Sequence, residues 1–310
     1  VLGKRGPDAV SYAQLGQGID NVCARLLRLN VQPGGLYGVI HADTLVHVTL
    51  MLALERLGAA TATLKNLGQA ASLNLAGIFS DIALPQTEYP AYRADKSWLQ
   101  DSGGAPMPTS YPPLSPHGLC RIVFTSGSTG RPKAVAVTPH NVALGIANQR
   151  YTLGEEFVAL NRRLCCPGID VTYGYRMLMR TLAEGGLYCF VDQNLARNVR
   201  SLNFYRVQAV LGSPQQLAFL ADYGEQNPGS FTTVEVLVSI GARLPPLLSE
   251  KLRRHVCPRL IASYGSSEGG YISAGLAETL DLERGEVGRV IPTVEAEIVD
   301  EATHEPVAQG

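Results

Sequence analysis

Residues 121–137 read RIVFTSGSTGRPKAVAV. Arg121 to Thr125 and Ala134 to Val137 have the apolar, β-branched character of short strands. Between them, Thr125 to Lys133 (TSGSTGRPK) puts two glycines, four hydroxyl residues, an Arg and a Lys into nine positions. Glycines let backbone N–H groups approach an anion closely. The Ser and Thr hydroxyls add donors, and Lys133 adds a positive charge. This inventory suits a polyphosphate. It is not a Walker loop, because the G-x-x-x-x-G-K-[ST] spacing is absent, and no G-x-G-x-x-G follows a strand. Composition alone reads more readily as a flexible turn of small residues.

Working outward, the rhythm is helix and strand in alternation. Ser11 with Gln14 three residues on forms a capping box, and Ile19, Val22, Leu26 and Leu29 recur at helical spacing. Pro33-Gly34-Gly35 stops that helix before a buried strand at Leu36 to Ile40. Asp43 caps a second helix ending near Gly58, and Ala60 to Leu64 reads as a strand. Further strands are expected at Leu187 to Val191, Val234 to Ser239 and Arg259 to Ala262. Helices are expected at Tyr173 to Ala183, Pro214 to Asp222 and Pro245 to His255, with His140 opening one after the loop. The pattern predicts an α/β fold with mostly parallel sheets. The Pro-rich stretch 85 to 118 reads as a surface connection between two α/β halves. The expected domains are therefore 1–115, 116–280 (carrying the Gly-rich loop), and a β-rich part from 281 to 310 with a strand at Val294 to Val299.

Composition narrows the function classes. The chain has 310 residues, 45% hydrophobic and 17% charged, with a net charge of -1. Such a chain buries a sizeable core, and its charge balance argues against a nucleic-acid partner. The six cysteines form no C-x-x-C pair, so they read as reduced thiols of a cytoplasmic protein rather than zinc ligands. The uncharged run Thr44 to Leu54 is far short of the ~20 residues a membrane span needs. His41, His47, His117, His255 and His304 show no metal-ligand spacing. The cluster Lys251, Arg253, Arg254, His255 reads as a solvated helix face.

Two more segments carry chemistry. Tyr264 to Gly270 (YGSSEGG) follows a strand and offers two hydroxyls and the carboxylate of Glu268 where α/β sheets place ligands. Glu268 is either a solvated carboxylate or, beside a hydroxyl-Gly loop, a Mg²⁺ ligand for a nucleoside triphosphate. Ser239 to Leu244 (SIGARL) puts Gly241 after an apolar strand.

In this order, TSGSTGRPK, SIGARL, YGSSE and GEVGRVIPTVEAEIVDE resemble the adenylate-forming superfamily. That superfamily includes acyl- and aryl-CoA synthetases, luciferases and the adenylation domains of nonribosomal peptide synthetases. The resemblance runs from near Ser11 to Gly310. It implies the large N-terminal domain of that fold, with two α/β subdomains and the start of a small β-barrel subdomain. It also implies a reaction: a carboxylate attacks the α-phosphate of ATP, pyrophosphate leaves, and the acyl-adenylate passes to a thiol. The acceptor would be coenzyme A or the phosphopantetheine of an acyl or peptidyl carrier protein.

By this resemblance Thr125, Ser126, Gly127, Ser128, Thr129, Gly130 and Lys133 grip the pyrophosphate. Ser267 stands where the family usually has Thr, beside the α-phosphate, and Glu268 is the Mg²⁺ ligand. Tyr264 and Gly265 lie against the adenine and the acyl pocket, with Gly241, Ala242 and Ser263 near them. Lys133, Ser267 and Glu268 are the expected catalytic set. The family's ribose-binding Asp, hinge and C-terminal domain with its catalytic Lys are expected after Gly310. Residues 1–310 alone are thus expected to bind ATP with weak or no adenylation.

The acid pocket is expected at Cys166 to Gly174 (CPGIDVTYG), with Asp170, Val171, Gly241 and Gly265 facing the substrate. Ile169-Asp170-Val171-Thr172 loosely resembles the F-D-x-S of amino-acid-activating domains, whose Asp pairs with the substrate ammonium. The spacing to Gly185-Gly186 is about two residues too long for that register. Many CoA ligases carry a His where Val171 stands, so that pattern is broken too. The flanking sequence favours an acyl- or aryl-acid ligase. The alternatives are an amino-acid-activating domain and a non-catalytic nucleotide-binding relative.

Overall fold

The computed structural model describes residues 2–3, 6–7, 9–100, 115–125, 133–154, 158–192 and 194–307. Its contacts divide the chain into two compact units. The first comprises Val1–Ala143 with Ile169–Tyr175, and the second Leu144–Gly168 with Arg176–Gly310.

In the first unit a short antiparallel pair, Leu2–Gly3 with Gly6–Pro7, precedes α1 (Tyr12–Arg28), whose Ser11–Gln14 capping box forms as expected. β1 (Leu36–Ile40) and α2 (Thr44–Arg56) follow, the latter capped by Asp43, which accepts from the Leu45 and Val46 amides. Next come β2 (Ala60–Thr63), β3 (Gly77–Ser80), β4 (Ala91–Arg93), β5 (Arg121–Thr125) and β6 (Lys133–Val137). They build a six-stranded sheet in the order β4-β3-β1-β2-β5-β6, parallel except for β6. Val22 and Leu26 of α1 and Leu50 and Leu54 of α2 bury with Val39 and Phe79 in one core. Burying each such side chain contributes about 1.5–3 kcal/mol, which outweighs the low helix propensity of the Val- and Thr-rich start of α2.

α3 (Pro139–Leu153) and α4 (Thr172–Ala183) each begin among first-unit residues and end among second-unit residues. The second unit is further built from β7 (Arg162–Cys165), β8 (Leu187–Phe190), α5 (Leu195–Phe204), β9 (Ala209–Gly212), α6 (Pro214–Gln226), β10 (Val236–Ser239), α7 (Pro246–His255), β11 (Leu260–Ser266), β12 (Gly270–Leu276) and β13 (Arg289–Val290). Its seven-stranded sheet runs β8-β7-β9-β10-β11-β12-β13 and is parallel through β11. Leu164, Val210, Leu237 and Leu260 of the sheet bury against Leu217 and Leu252 of α6 and α7.

Three expectations change. First, the strands flanking the Gly-rich loop join the first sheet, because β5 pairs with β2, so the contacts do not divide at 115/116. Second, the stretch expected to be a surface connection is partly built into the fold. β4 is an edge strand, Tyr92 stacks on Phe79 at 5.1 Å, and Trp98 meets the same ring edge-on at 6.0 Å. Aromatic burial there outweighs the turn-forming prolines. Residues 101–114 lie outside the described residues. Third, Val294 to Val299 forms no strand. Only β13 adds to the second sheet, and Val299 makes an isolated bridge to Pro306. Most side chains from 295 to 300 are exposed, so no buried face holds a ladder there.

Candidate functional site

The Gly-rich segment Ser126 to Pro132, including Gly127, Ser128, Thr129 and Gly130, lies outside the described residues. Its two anchors are defined. Thr125 ends β5, Lys133 begins β6, and the two are cross-strand partners. The loop therefore leaves and re-enters the sheet at one point, the carboxyl end of β5. Thr125 is half-buried and Lys133 is exposed.

Asp170 and Val171 belong to the same unit. Asp170 sits in a turn before α4 and makes a 3.1 Å ion pair with Lys65, just beyond the carboxyl end of β2. β2 is the neighbour of β5, so Lys65, and Asp170 through its ion pair with it, stands at the same carboxyl edge at which Thr125 ends β5. The Val171 carbonyl accepts from the Tyr175 amide at 3.1 Å.

The other residues gather in the second unit. β10 and β11 are parallel neighbours, with Ser239 opposite Ala262. Gly241 and Ala242 follow β10, and Ser263, Tyr264 and Gly265 continue β11 past that pair, all at the carboxyl edge. Gly241 has φ +77 with open space around a Cβ position, so its backbone conformation, not crowding, asks for Gly. At Gly265 a Cβ would run into the Gly270 carbonyl oxygen across the β11–β12 pair, where a register shift falls between Tyr264 and Gly265. Ser267 and Glu268 occupy the turn joining β11 to β12, and Glu268 is exposed. The Ser266 hydroxyl braces this turn by accepting from the Gly269 amide at 2.8 Å.

Sequence reasoning missed a buried polar cluster around residues 169–175. Arg121, wholly buried in the apolar strand β5, donates to Thr61 Oγ1 at 2.9 Å, Thr63 Oγ1 at 2.5 Å and the Ile169 carbonyl at 2.8 Å. Its guanidinium lies 4.8 Å from the centre of the Tyr175 ring. The Tyr175 hydroxyl donates to Glu55 Oε1 at 3.0 Å. Burial lifts the Glu55 carboxyl to about 7, against the opposing pull of the Arg121 charge and the Tyr175 hydrogen bond. His47, which shows no metal-ligand spacing in the sequence, is buried and hydrogen-bonded through Nε2 to Thr63 Oγ1 at 2.9 Å. Burial, helped by the Arg121 charge, drives it down to about 3. A signal existed: Arg121, Glu55 and His47 each interrupt an apolar run.

Residues 78–310 match the family model described as AMP-binding enzyme. The chain belongs to the AMP-binding enzyme family. Among curated relatives, tenellin synthetase of Beauveria bassiana is 25% identical over 96% of this chain, and the acyl-CoA ligase SID4 of Ajellomyces capsulatus 28% over 64%. The chain spans only 8% and 34% of their lengths. Among solved structures, o-succinylbenzoate coenzyme A synthetase from Bacillus subtilis in complex with AMP superposes with a TM-score of 0.82. It is 18% identical, with 99% of this chain and 64% of that one covered. That likeness concerns the fold.

The AMP-binding family implies a nucleotide, and the donor set fits one. In the first unit Thr125 and Lys133 stand at the carboxyl end of β5, and in the second unit hydroxyls and backbone stand at the carboxyl ends of β10 and β11. Each edge, taken by itself, is the kind of place where α/β sheets receive ligands. For a divalent cation the fit is narrower. No group of three His, Cys, Asp or Glu gathers anywhere among the described residues. Glu268 offers one exposed carboxylate. Mg²⁺ is commonly held by one or two carboxylates plus substrate phosphates and waters, so Glu268 suffices only alongside the nucleotide. The basic cluster on α7 is paired instead: Lys251 with Asp222 and Glu225, Arg253 with Glu278, Arg254 with Glu250.

Proposed function

We propose that this chain is the nucleotide- and acid-binding portion of a ligase that activates an acyl or aryl carboxylic acid. The acid's carboxylate attacks the α-phosphate of ATP, pyrophosphate leaves, and the acyl-adenylate passes to the thiol of coenzyme A or a carrier protein's phosphopantetheine. Lys133 neutralises charge on the departing pyrophosphate, Ser267 stands beside the α-phosphate, and Glu268 holds Mg²⁺ against the phosphates. Ser126, Gly127, Ser128, Thr129 and Gly130 complete the grip. Tyr264, Gly265, Gly241, Ala242 and Ser263 frame the adenine and the acid. The work of such a site is charge neutralisation and alignment for in-line attack. The location of the whole protein in the cytoplasm belongs to the same proposal.

The observation that favours an acyl or aryl acid over an amino acid is the Lys65–Asp170 ion pair. Asp170 is the carboxylate that loosely matches, about two residues out of register, the anion an amino-acid-activating site offers the substrate ammonium. Here a lysine already faces it, and the buried Arg121 adds a second positive charge nearby. A substrate ammonium would compete with the exposed Lys65 for Asp170, a modest competition because water screens the pair, whereas an uncharged acyl group asks nothing of Asp170.

The test is ATP–pyrophosphate exchange on the protein that carries this chain, with pools of aryl acids, fatty acids and amino acids run separately. Exchange with aryl or fatty acids that survives Asp170→Ala supports the reading. Exchange with amino acids only, abolished by Asp170→Ala while ATP binding persists, overturns it in favour of amino-acid activation. No exchange with any pool would mean that nucleotide binding here is non-catalytic.

A further inference from the structure

The chain enters the first unit for one short return visit, Ile169–Tyr175, with second-unit residues on either side. That visit is fixed at both ends. At its start, Arg121 of β5 holds the Ile169 carbonyl. One residue on, Lys65 holds Asp170. At its end, Tyr175 presents its hydroxyl to Glu55 of α2 and its ring to Arg121. Cys120 Sγ lies 3.9 Å from the same hydroxyl. Thr61 and Thr63 of β2 fix the Arg121 guanidinium from the other side.

These tethers differ in strength. The Lys65–Asp170 pair is two-thirds exposed on the lysine side, so screening leaves it little weight. Arg121 and Tyr175 are buried, and a hydrogen bond broken there leaves a polar group stranded without water. The buried pair therefore dominates the geometry of the segment. An apolar core would have served a purely structural strand more cheaply, since a buried ionic group is weak evidence of stability.

We propose that Arg121 and Tyr175 are positioning residues for the acid substrate, holding residues 169–175 in the one arrangement that receives it. This rests on the acid-activating function proposed above. Neither side chain is assigned a contact with substrate. They act through the backbone at Ile169 and through the placement of Val171 between the two tethers. Loosening either one blurs the acid pocket and leaves the nucleotide groups on β10, β11 and Lys133 in place.

The experiment uses the protein carrying the whole chain and two conservative variants, Tyr175→Phe and Arg121→Lys. Tyr175→Phe keeps the ring under Arg121 and removes only the hydroxyl. Pyrophosphate exchange is measured with benzoate, octanoate and L-leucine as separate probes, and amide hydrogen exchange is followed in peptides covering 166–175 and 236–242. The expected result is a KM for the active acid raised about tenfold or more with the KM for ATP within about twofold, and faster amide exchange confined to 166–175. Parallel rises in both KM values with faster amide exchange throughout would reduce both residues to structural roles and overturn the proposal. Unchanged KM values would overturn it as well. If no probe acid supports exchange even in the parent, the functional reading fails on that result. Amide exchange then decides the tether alone: unaltered rates at 166–175 refute it, and a confined increase upholds it.

Discussion

Thr125 and Lys133 face each other as the last cross-strand pair of the β5–β6 hairpin, one half-buried and one exposed. The Gly-rich loop runs between them, so the Lys133 backbone is set on the sheet edge rather than on the loop itself. Lys133→Ala is therefore expected to weaken ATP binding without disturbing the hairpin. A hydrogen-bonded charge partner contributes about 1.5–3 kcal/mol, which corresponds to roughly a 10–100-fold rise in Kd. Calorimetry at several Mg²⁺ concentrations checks this, and an unaltered Kd removes Lys133 from the phosphate grip.

Glu268 gives a prediction of a different kind. It is exposed in the β11–β12 turn, and no second acidic ligand gathers with it among the described residues. Glu268→Gln keeps size and hydrogen bonding but removes the charge that a hard cation prefers. The Mg²⁺ concentration needed for half-maximal nucleotide binding should rise about tenfold, with binding at saturating Mg²⁺ nearly restored. Superimposable Mg²⁺ titrations for the two proteins would return Glu268 to the solvent.

The parts of this fold that sequence reveals are those with a local cause. The Ser11–Gln14 capping box, the Asp43 cap and the hairpin around the Gly-rich loop each depend on neighbours a few residues away, and each forms as read. Strands β3, β7 and β9 escaped notice because their burial comes from partners distant in sequence. Arg162-Arg163-Leu164-Cys165 has no strand signature, yet Arg163 is wholly buried and ion-paired to Glu184 at 2.6 Å. The candidate site divides the same way. TSGSTGRPK and YGSSE stand out as words, whereas Arg121 becomes notable only when β2 and residues 169–175 close around it.

Gly241 and Gly265 are both glycines of the second-unit edge, and they should fail differently. Gly265→Ala forces a Cβ onto the Gly270 carbonyl oxygen, a backbone atom with no flexible end to swing aside. Overpacking of that kind costs about 1–3 kcal/mol. Gly241→Ala meets no atom but holds Ala at positive φ, a cost of about 1 kcal/mol. Urea denaturation should therefore rank Gly265→Ala as the less stable variant. The reverse order would mean that the β11–β12 pair yields more readily than its register implies.

Glu55 and His47 set opposite pH slopes on stability from within one cluster. Burial raises Glu55 from 4.5 to about 7, so the folded state holds a proton the unfolded chain has released. Its contribution is complete below about pH 4.5 and is lost as pH climbs to about 7. Burial lowers His47 from 6.5 to about 3, so the unfolded chain holds the extra proton. Its contribution is complete above about pH 6.5 and is lost as pH falls toward 3. Between pH 4.5 and 6.5 the two slopes oppose each other, and the parent protein should show a nearly flat stability from this cluster. Glu55→Gln keeps an acceptor for Tyr175 but removes the titration, leaving the His47 slope exposed. Its stability should then rise with pH across that window by up to ~1.4 kcal/mol per pH unit. Urea denaturation at pH 4.5, 5.5 and 6.5 reads this directly. A variant whose midpoints stay parallel to the parent's at all three values would show that Glu55 does not exchange its proton in this range.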